Sequence, residues 1–308
     1  MSGGSRMRRV AALAVLPLVA VTACSGGGLP DGLKVAGVVG RQPTVTIPGS
    51  SPSGKLKIET LRKGKGSKVT DGDLVVANYV GYRWNGGDHK LVASSYDAGR
   101  PAMFPYGRLV TGLNKALEGQ RPGGRVLAVV PPNQGYGAGG YAPWQIGAGD
   151  SIVFVLDVIA TYHNGASAQG QPQPQNDPAM PQVTSGATPT MKIPSTAPPG
   201  RLRIRTIVQG SGPPVQAHQL VVFHDLGQIW RTGKVFEDSR GRGRPDSVVA
   251  GAGQMIDGWD RAVVGQRVGS RVLVVIPSKD GYGAKGHVAS GIKKNDTLAF
   301  VIDVLAAY

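Results

Sequence analysis

This sequence predicts an α+β protein built from one module used twice, and three observations carry the prediction. A stretch of about 109 residues recurs at a spacing of 146, as Gly54–Tyr162 and Gly200–Tyr308. Leu56-Lys57-Ile58-Glu59-Thr60 is answered by Leu202-Arg203-Ile204-Arg205-Thr206, Tyr136 by Tyr282, Phe154 by Phe300 and Tyr162 by Tyr308. Each copy holds several apolar or alternating runs of strand length. Each also holds one short helical segment stopped by glycine. One short helix laid on an antiparallel sheet is an α+β layering. A length of 308 residues suits two such domains, and a module of this size can bury its own core.

The chain opens with a basic segment, Arg6, Arg8 and Arg9, followed by the apolar run Val10–Val21 of 12 residues. A membrane span needs about 20, so the run reads as a cleavable export signal. Its end, Val21-Thr22-Ala23-Cys24, resembles a bacterial lipobox, with Val21 where leucine is commoner. That resemblance implies lipid transfer to the Cys24 thiol and cleavage before it, so residues 1–23 form a signal peptide. Cys24 is the chain's single cysteine, which excludes an internal disulfide. Residues 24–53 are rich in Gly, Pro and Ser and read as a disordered tether, with a segment such as Leu33–Val39 able to dock on a neighbour.

Within each module the order is the same. The alternating strand at Leu56 or Leu202 runs into a Gly-rich turn, Lys63-Gly64-Lys65-Gly66 or Gln209-Gly210-Ser211-Gly212. Strands at Leu74–Val80 and Leu220–Leu226 follow, then a long variable loop. Helices are expected at Leu113–Leu117 before Gly119 and at Trp259–Val263 before Gly265. The runs Val126–Val130 and Val272–Ile276 are buried strands stopped by proline, each leading to a Gly-rich loop that presents one tyrosine. The last strands, Ile152–Ile159 and Leu298–Leu305, are almost continuously apolar, as central strands are. Between the modules, residues 163–199 repeat Gln-Pro and carry only Asp177 and Lys192 as charges. They read as a semi-stiff spacer without a core of its own.

The net charge is +15, falling to +12 if Arg6, Arg8 and Arg9 leave with the leader. Such a balance favours anionic surroundings or simply keeps the chain soluble. Nucleic-acid binding fits poorly, because the aromatics sit in strand patterns rather than on a basic face. No phosphate loop, dinucleotide fingerprint, HExxH or zinc spacing occurs, so neither cofactor nor metal is expected.

The order of several motifs completes the reading. Asn78-Tyr79-Val80-Gly81, Leu109-Val110-Thr111-Gly112-Leu113, Gln134-Gly135-Tyr136-Gly137 and Ser151-Ile152-Val153-Phe154 resemble the FKBP-type prolyl isomerases. So do Gly233–Ser239, Met255-Ile256-Asp257-Gly258-Trp259, Asp280-Gly281-Tyr282-Gly283 and Thr297-Leu298-Ala299-Phe300. The resemblance spans both modules. It implies a half-wrapped antiparallel sheet with a short helix across its concave face and a proline pocket between them. It also implies a reaction needing no nucleophile. The X-Pro bond has a barrier of about 18–20 kcal/mol, and an apolar box lowers it by favouring the less polar, twisted imide. Fixed donors then hold the substrate carbonyl. Carried over, these donors are the Val110 N–H and Tyr136 hydroxyl in the first module, and the Ile256 N–H and Tyr282 hydroxyl in the second.

The resemblance assigns substrate binding to Tyr79, Phe104, Leu109, Leu113, Ile146 and Phe154 in module 1. In module 2 it assigns Phe236, Glu237, Met255, Trp259, His287, Ile292 and Phe300. Both pockets depart from the pattern. Val92-Ala93 replaces Phe-Asp, Ala102 replaces a wall aromatic, and Tyr141 stands near the flap histidine's place. In module 2, Asp225 replaces the strand tyrosine and Asp246 a wall aromatic. A carboxylate in an apolar pocket is costly unless paired, so Asp225 is expected to turn outward or to pair with His224 or Arg240. Arg240, Arg242 and Arg244 read as a solvated run, or as a selector of acidic residues beside the proline. His287 reads as a solvated flap residue, since the reaction moves no proton.

The expected function is a monomeric, membrane-anchored, extracytoplasmic peptidyl-prolyl isomerase that assists folding of exported proteins. Its partners are proline-containing polypeptides and, through Cys24, the membrane. The alternative is a chaperone or scaffold that holds proline peptides with little turnover.

Overall fold

A computed structural model describes residues 29–308. The leader and Cys24 lie outside the described residues. Among the described residues no helix is long and apolar enough to cross a membrane.

The chain begins with a small hairpin, β1 (Lys34–Ala36) and β2 (Thr44–Thr46). Module 1 follows as β3 (Lys57–Arg62), β4 (Leu74–Asn85), β5 (Asp88–Ser94), β6 (Ala102–Pro105), α1 (Thr111–Leu117), β7 (Arg125–Val130) and β8 (Ser151–Tyr162). Its antiparallel sheet has the order β3-β7-β8-β4-β5, with β6 also paired to β4. Then come β9 (Gly170–Pro172) and a second hairpin, β10 (Gln182–Val183) with β11 (Met191–Lys192). Module 2 repeats the plan as β12 (Arg203–Gly210), β13 (Leu220–Ile229), β14 (Val235–Asp238), β15 (Asp246–Val249), α2 (Asp257–Val263), β16 (Arg271–Ile276) and β17 (Leu298–Ala307). Its order is β14-β13-β17-β16-β12-β9, with β15 paired to β13.

The predicted architecture is present in both halves: a curved antiparallel sheet with one short helix on it. The central strands β7, β8, β16 and β17 are nearly all buried, as their continuous apolar runs require. Gly112 and Gly258 let the helices sit very close to the sheets. A Cβ at either would lie 2.3 Å from Val130 Cγ1 or 2.5 Å from Ile276 Cγ2. Gly119 and Gly265 take left-handed φ of 71° and 88° just past the helices, the caps expected of them. The variable loops are more ordered than expected, since they build β5, β6, β14 and β15.

Two sequence readings need correction. Residues 29–53 are not a disordered tether but cover the back of the first sheet. Leu33 and Ile47 are buried against Val80, Trp84, Leu127, Val129, Val153 and Val155. Residues 163–199 are likewise more than a spacer. Met180, Val183 and Met191 are buried against Trp230, Leu273, Val275 and Val301 on the back of the second sheet, and β9 extends that sheet beside β12. Neither segment has a core of its own. Each gains one because the sheet back offers apolar surface that would otherwise face water.

Polar pins hold the hairpins in repeat-related fashion. Arg125 makes a two-pronged pair with Asp157 at 2.6 and 2.8 Å, both buried. It also donates to the carbonyls of Gly37, Val38 and Arg41 at 2.8, 3.0 and 3.0 Å. In module 2, Arg271 pairs with Asp303 at 2.6 and 2.8 Å and donates to the Gly186 carbonyl at 2.9 Å. The Trp84 indole N–H donates to the Ser50 carbonyl and that of Trp230 to the Thr196 carbonyl, each at 3.0 Å.

The modules touch through matching positions. Leu74, Val76, Ile159 and Tyr162 meet Leu220, Val222, Leu305 and Tyr308 in one apolar cluster. The Tyr162 and Tyr308 hydroxyls lie 2.6 Å apart.

Candidate active site

Each module's concave face, between sheet and helix, gathers the residues singled out from the sequence. In module 1, β4 contributes Tyr79, β6 Phe104 and β8 Phe154. Tyr79 meets Phe104 edge-on at 5.5 Å and stacks on Phe154 at 5.7 Å. Gly81 leaves room for this, because a Cβ there would lie 2.9 Å from the Phe154 ring. Leu113 of α1 and Ile146 of the flap are buried, and Leu109, Val110 and Tyr136 pack on the same core. Val110 is the residue before the first turn of α1, in extended conformation, so its N–H has no partner within the helix.

Trp144, absent from the sequence reading, enters this box. It lies 6.3 Å from Tyr79, 5.9 Å from Phe154 and 6.3 Å from Tyr136, centroid to centroid. Tyr141 stacks on Tyr136 at 4.8 Å and meets Trp144 edge-on at 5.3 Å. A tryptophan in a Gly- and Pro-rich flap was the available signal; the corresponding residue of module 2 is Ser290.

In module 2, Phe236 of β14 meets Phe300 of β17 edge-on at 5.4 Å. Trp259 lies fully buried on α2 beneath Phe223, at 4.7 Å. Met255, Ile256, Ile292 and Tyr282 pack on the same core. Ile256 precedes α2 in extended conformation, as Val110 precedes α1. His287 stacks on Tyr282 at 5.0 Å and its Nδ1 lies 2.8 Å from Ser290 Oγ. It is exposed, as expected of a solvated flap residue, while its ring lies against Tyr282.

Burial pushes the Tyr136 hydroxyl up to about 12, with Tyr141 and Tyr79 adding to the shift. Burial, with Glu237 nearby, also raises Tyr282. Both phenols therefore keep their protons at neutral pH and remain donors.

The acids of module 2 overturn two expectations. Asp225 is only 4% exposed and neither turns outward nor pairs with His224 or Arg240. His224 meets Ser239 and Arg240 meets Asp303. Asp225 instead lies with Glu237 and Asp246, their carboxylate oxygens within 4.8 Å of one another. Arg242 bridges Glu237 and Asp246, and Arg244 lies beside Asp246, so side chains of the chain itself supply the positive charge there. Asp225 Oδ1 has no hydrogen-bond partner among the described residues. Burial first, then the two neighbouring acids, raises its pKa well above the ordinary value and favours its protonated form. Nor is the arginine run simply solvated: Arg240 pairs with Asp303, Arg242 with Glu237 and Asp246, and Arg244 lies 3.9 Å from Asp246.

Comparison with known proteins bears on both sites. The family model described as FKBP-type peptidyl-prolyl cis-trans isomerase matches residues 65–159 and 212–305. The FK506-binding protein of Streptomyces anulatus is 41% identical over 118 residues, 38% of this chain and 95% of that protein. The peptidyl-prolyl cis-trans isomerase Mip of Coxiella burnetii is 35% identical over 105 residues, 34% of this chain and 44% of that one. The crystal structure of the three FKBP domains of wheat FKBP73 aligns with 83% of this chain and 96% of its own, at 19% identity and a TM-score of 0.34.

Proposed function

Because this chain belongs to the FKBP-type peptidyl-prolyl cis-trans isomerases, we propose that it is a tandem isomerase acting outside the cytoplasm, tethered to the membrane by lipid on Cys24. In this reading the pocket in each module takes a proline of an exported chain. The observation that carries it is that each box sets apolar rings beside a protonated phenol, Tyr136 or Tyr282.

The chemistry needs no more than these parts. The planar imide is the more polar form, so a dry aromatic box favours its twisting. As the substrate carbonyl rotates, the phenol O–H and the helix-entry N–H of Val110 or Ile256 are already placed to hold it. Preorganised donors lose nothing to reorientation during the step. Asp225 and Trp144 make the two pockets unequal. Trp144 stands in the ring box of module 1, where module 2 has Ser290. In module 2 the position of Tyr79 is taken by a buried acid.

The same two residues favour a second reading, in which the modules hold proline-containing segments with little turnover. One experiment separates the readings: isomerisation of a short Leu-Pro peptide by the full chain, by Tyr136→Phe, by Tyr282→Phe and by the double variant. Losing a hydrogen bond of about 1.4 kcal/mol in the twisted state slows a site about tenfold. The isomerase reading requires turnover that falls in at least one single variant. Peptide binding without turnover in the unmodified chain leaves the holding role. Cys24→Ala, expressed in the source cell, tests the anchor: the protein should leave the membrane fraction and stay folded. Unchanged membrane retention would end the lipid-anchor reading.

A further inference from the structure

On the back of the second sheet, away from the proline pocket, lies a cavity of about 510 Å³. Its floor is β13 and β17, and its roof is the hairpin segment Thr188–Met191. Three residues bordering it carry polar atoms with no partner among the described residues, His224 Nε2, Gln228 Oε1 and Asp225 Oδ1, the last lying with Glu237 and Asp246. His224 is 2% exposed and Gln228 8%. A buried polar atom left unpaired costs about 1–3 kcal/mol, and native proteins rarely leave one so. The atoms of His224 and Gln228, along one cavity wall, point to an occupant from solution.

The first module supplies an internal control. Asn78 and Tyr82 hold the places of His224 and Gln228. Tyr96 holds the place of Arg240, each reaching the buried aspartate behind its sheet, Asp157 at 3.2 Å or Asp303 at 2.6 Å. The rings of Tyr82 and Tyr96 pack on the apolar cluster behind the first sheet. In module 2 a ring is exchanged for a shorter amide and another for a guanidinium drawn to Asp303.

We propose that this cavity binds a neutral, hydroxyl-rich molecule of sugar size. The volume falls within the range of about 300–1,000 Å³ usual for small-molecule sites. The nearby charges balance: Asp303 is paired with Arg271 and Arg240, Asp238 supplies the fourth charge while accepting the Gly241 N–H at 2.9 Å, and burial favours the neutral form of Asp225. No excess charge calls for an ion. Gln228 Oε1 requires a donor. His224 Nδ1 is committed to Ser239 Oγ at 2.7 Å, and the ring also lies near the Asn164 backbone, so Nε2 faces the cavity beside Asn164. Burial first, then Arg240, holds the imidazole pKa down at about 4, so the ring is neutral and Nε2 donates or accepts according to tautomer. A hydroxyl answers either tautomer and also serves the amide oxygen. Leu226, Val301 and Met191 offer apolar surface to the C–H face of a sugar ring. His224 and Asp225 point to opposite faces of β13 because successive strand side chains alternate. Asp225 borders the cavity as well as the acid cluster, so the two sites back onto one another across β13, while His224 and Gln228 belong to this one and the proposal does not depend on the isomerase reading.

The test is titration of the full chain with glucose and with maltose, followed through the His224 ring nitrogens by NMR. A saturable shift with either sugar is expected. Gln228→Tyr, which installs the ring that module 1 carries, should weaken binding at least tenfold while Leu-Pro isomerisation stays unchanged, showing an intact fold. Tyr282→Phe should leave sugar binding unaltered. No saturable shift with either sugar means that only water fills the space and overturns the proposal. An equal shift in Gln228→Tyr overturns it too, by placing the sugar elsewhere.

Discussion

At the scale of single residues, the two modules differ most where one side chain replaced another on a shared backbone. Trp144 and Ser290 occupy matching flap positions, yet only the tryptophan enters its aromatic box. Trp144→Ser, measured in a Tyr282→Phe background that slows module 2 about tenfold, should increase peptide turnover at module 1 several-fold. Unchanged or reduced turnover would show that the ring helps to form the pocket. His224 gives a prediction in pH. Its folded pKa is about 4 against an ordinary 6.5, so the unfolded chain takes up the proton first. The stability it brings is complete above pH 6.5 and is lost as pH falls toward 4, on the order of 3 kcal/mol. Denaturant unfolding across that window should show the acid slope. His224→Asn, the residue of module 1, should flatten it; a slope that persists would assign the effect to other groups.

Among elements, the back hairpins are held as much by the buried arginine–aspartate pairs as by their few apolar residues. Arg125 ties β7 and β8 to the turn between β1 and β2 through one guanidinium. Removing one member of such a pair leaves the other charge buried. Arg125→Met should therefore cost about 3–5 kcal/mol, whereas Arg125→Met with Asp157→Leu should recover most of the loss. Equilibrium unfolding of the single and double variants decides this. A double variant as unstable as the single would mean that the carbonyl contacts to the hairpin, not the ion pair, carry the energy. The hairpins also leave a trace in the sequence through the repeat. Thr44-Val45-Thr46-Ile47-Pro48 and Thr190-Met191-Lys192-Ile193-Pro194 keep the spacing of 146, so the repeat begins well upstream of Gly54. Composition hid it, because a Pro-, Gly- and Gln-rich stretch with scattered apolar residues shows no strand period.

Across the whole molecule, the two modules meet through the same positions of each repeat, an arrangement like that of a symmetric dimer written into one chain. Leu74, Val76 and Tyr162 face their counterparts Leu220, Val222 and Tyr308, and Arg240 reaches back to the Ala166 carbonyl at 2.7 Å. The chain should accordingly melt in one calorimetric transition. Val222→Asp places an unpaired charge in the shared cluster and should split the melt in two, with both modules still folded. Two transitions in the unmodified chain would show that the modules are energetically independent.

The sequence by itself determined the repeat, the α+β plan of each module, the helix ends at Gly119 and Gly265, and the gathering of Tyr79, Phe104, Tyr136 and Phe154, or of Phe236, Trp259, Tyr282 and Phe300, on one face. The repeat, the layer plan and the helix ends follow from local periodicity and from residues that only one kind of turn or cap accepts, whereas the pocket residues were reached through the family resemblance. Only the tertiary structure decided that Trp144 enters the box, that Asp225 stays buried beside Glu237 and Asp246, that the arginine run is spent on carboxylates, and that the connecting segments cover the sheet backs. Each of those outcomes depends on what surface lies across a gap. Burial by a distant partner leaves no period in the segment that is buried.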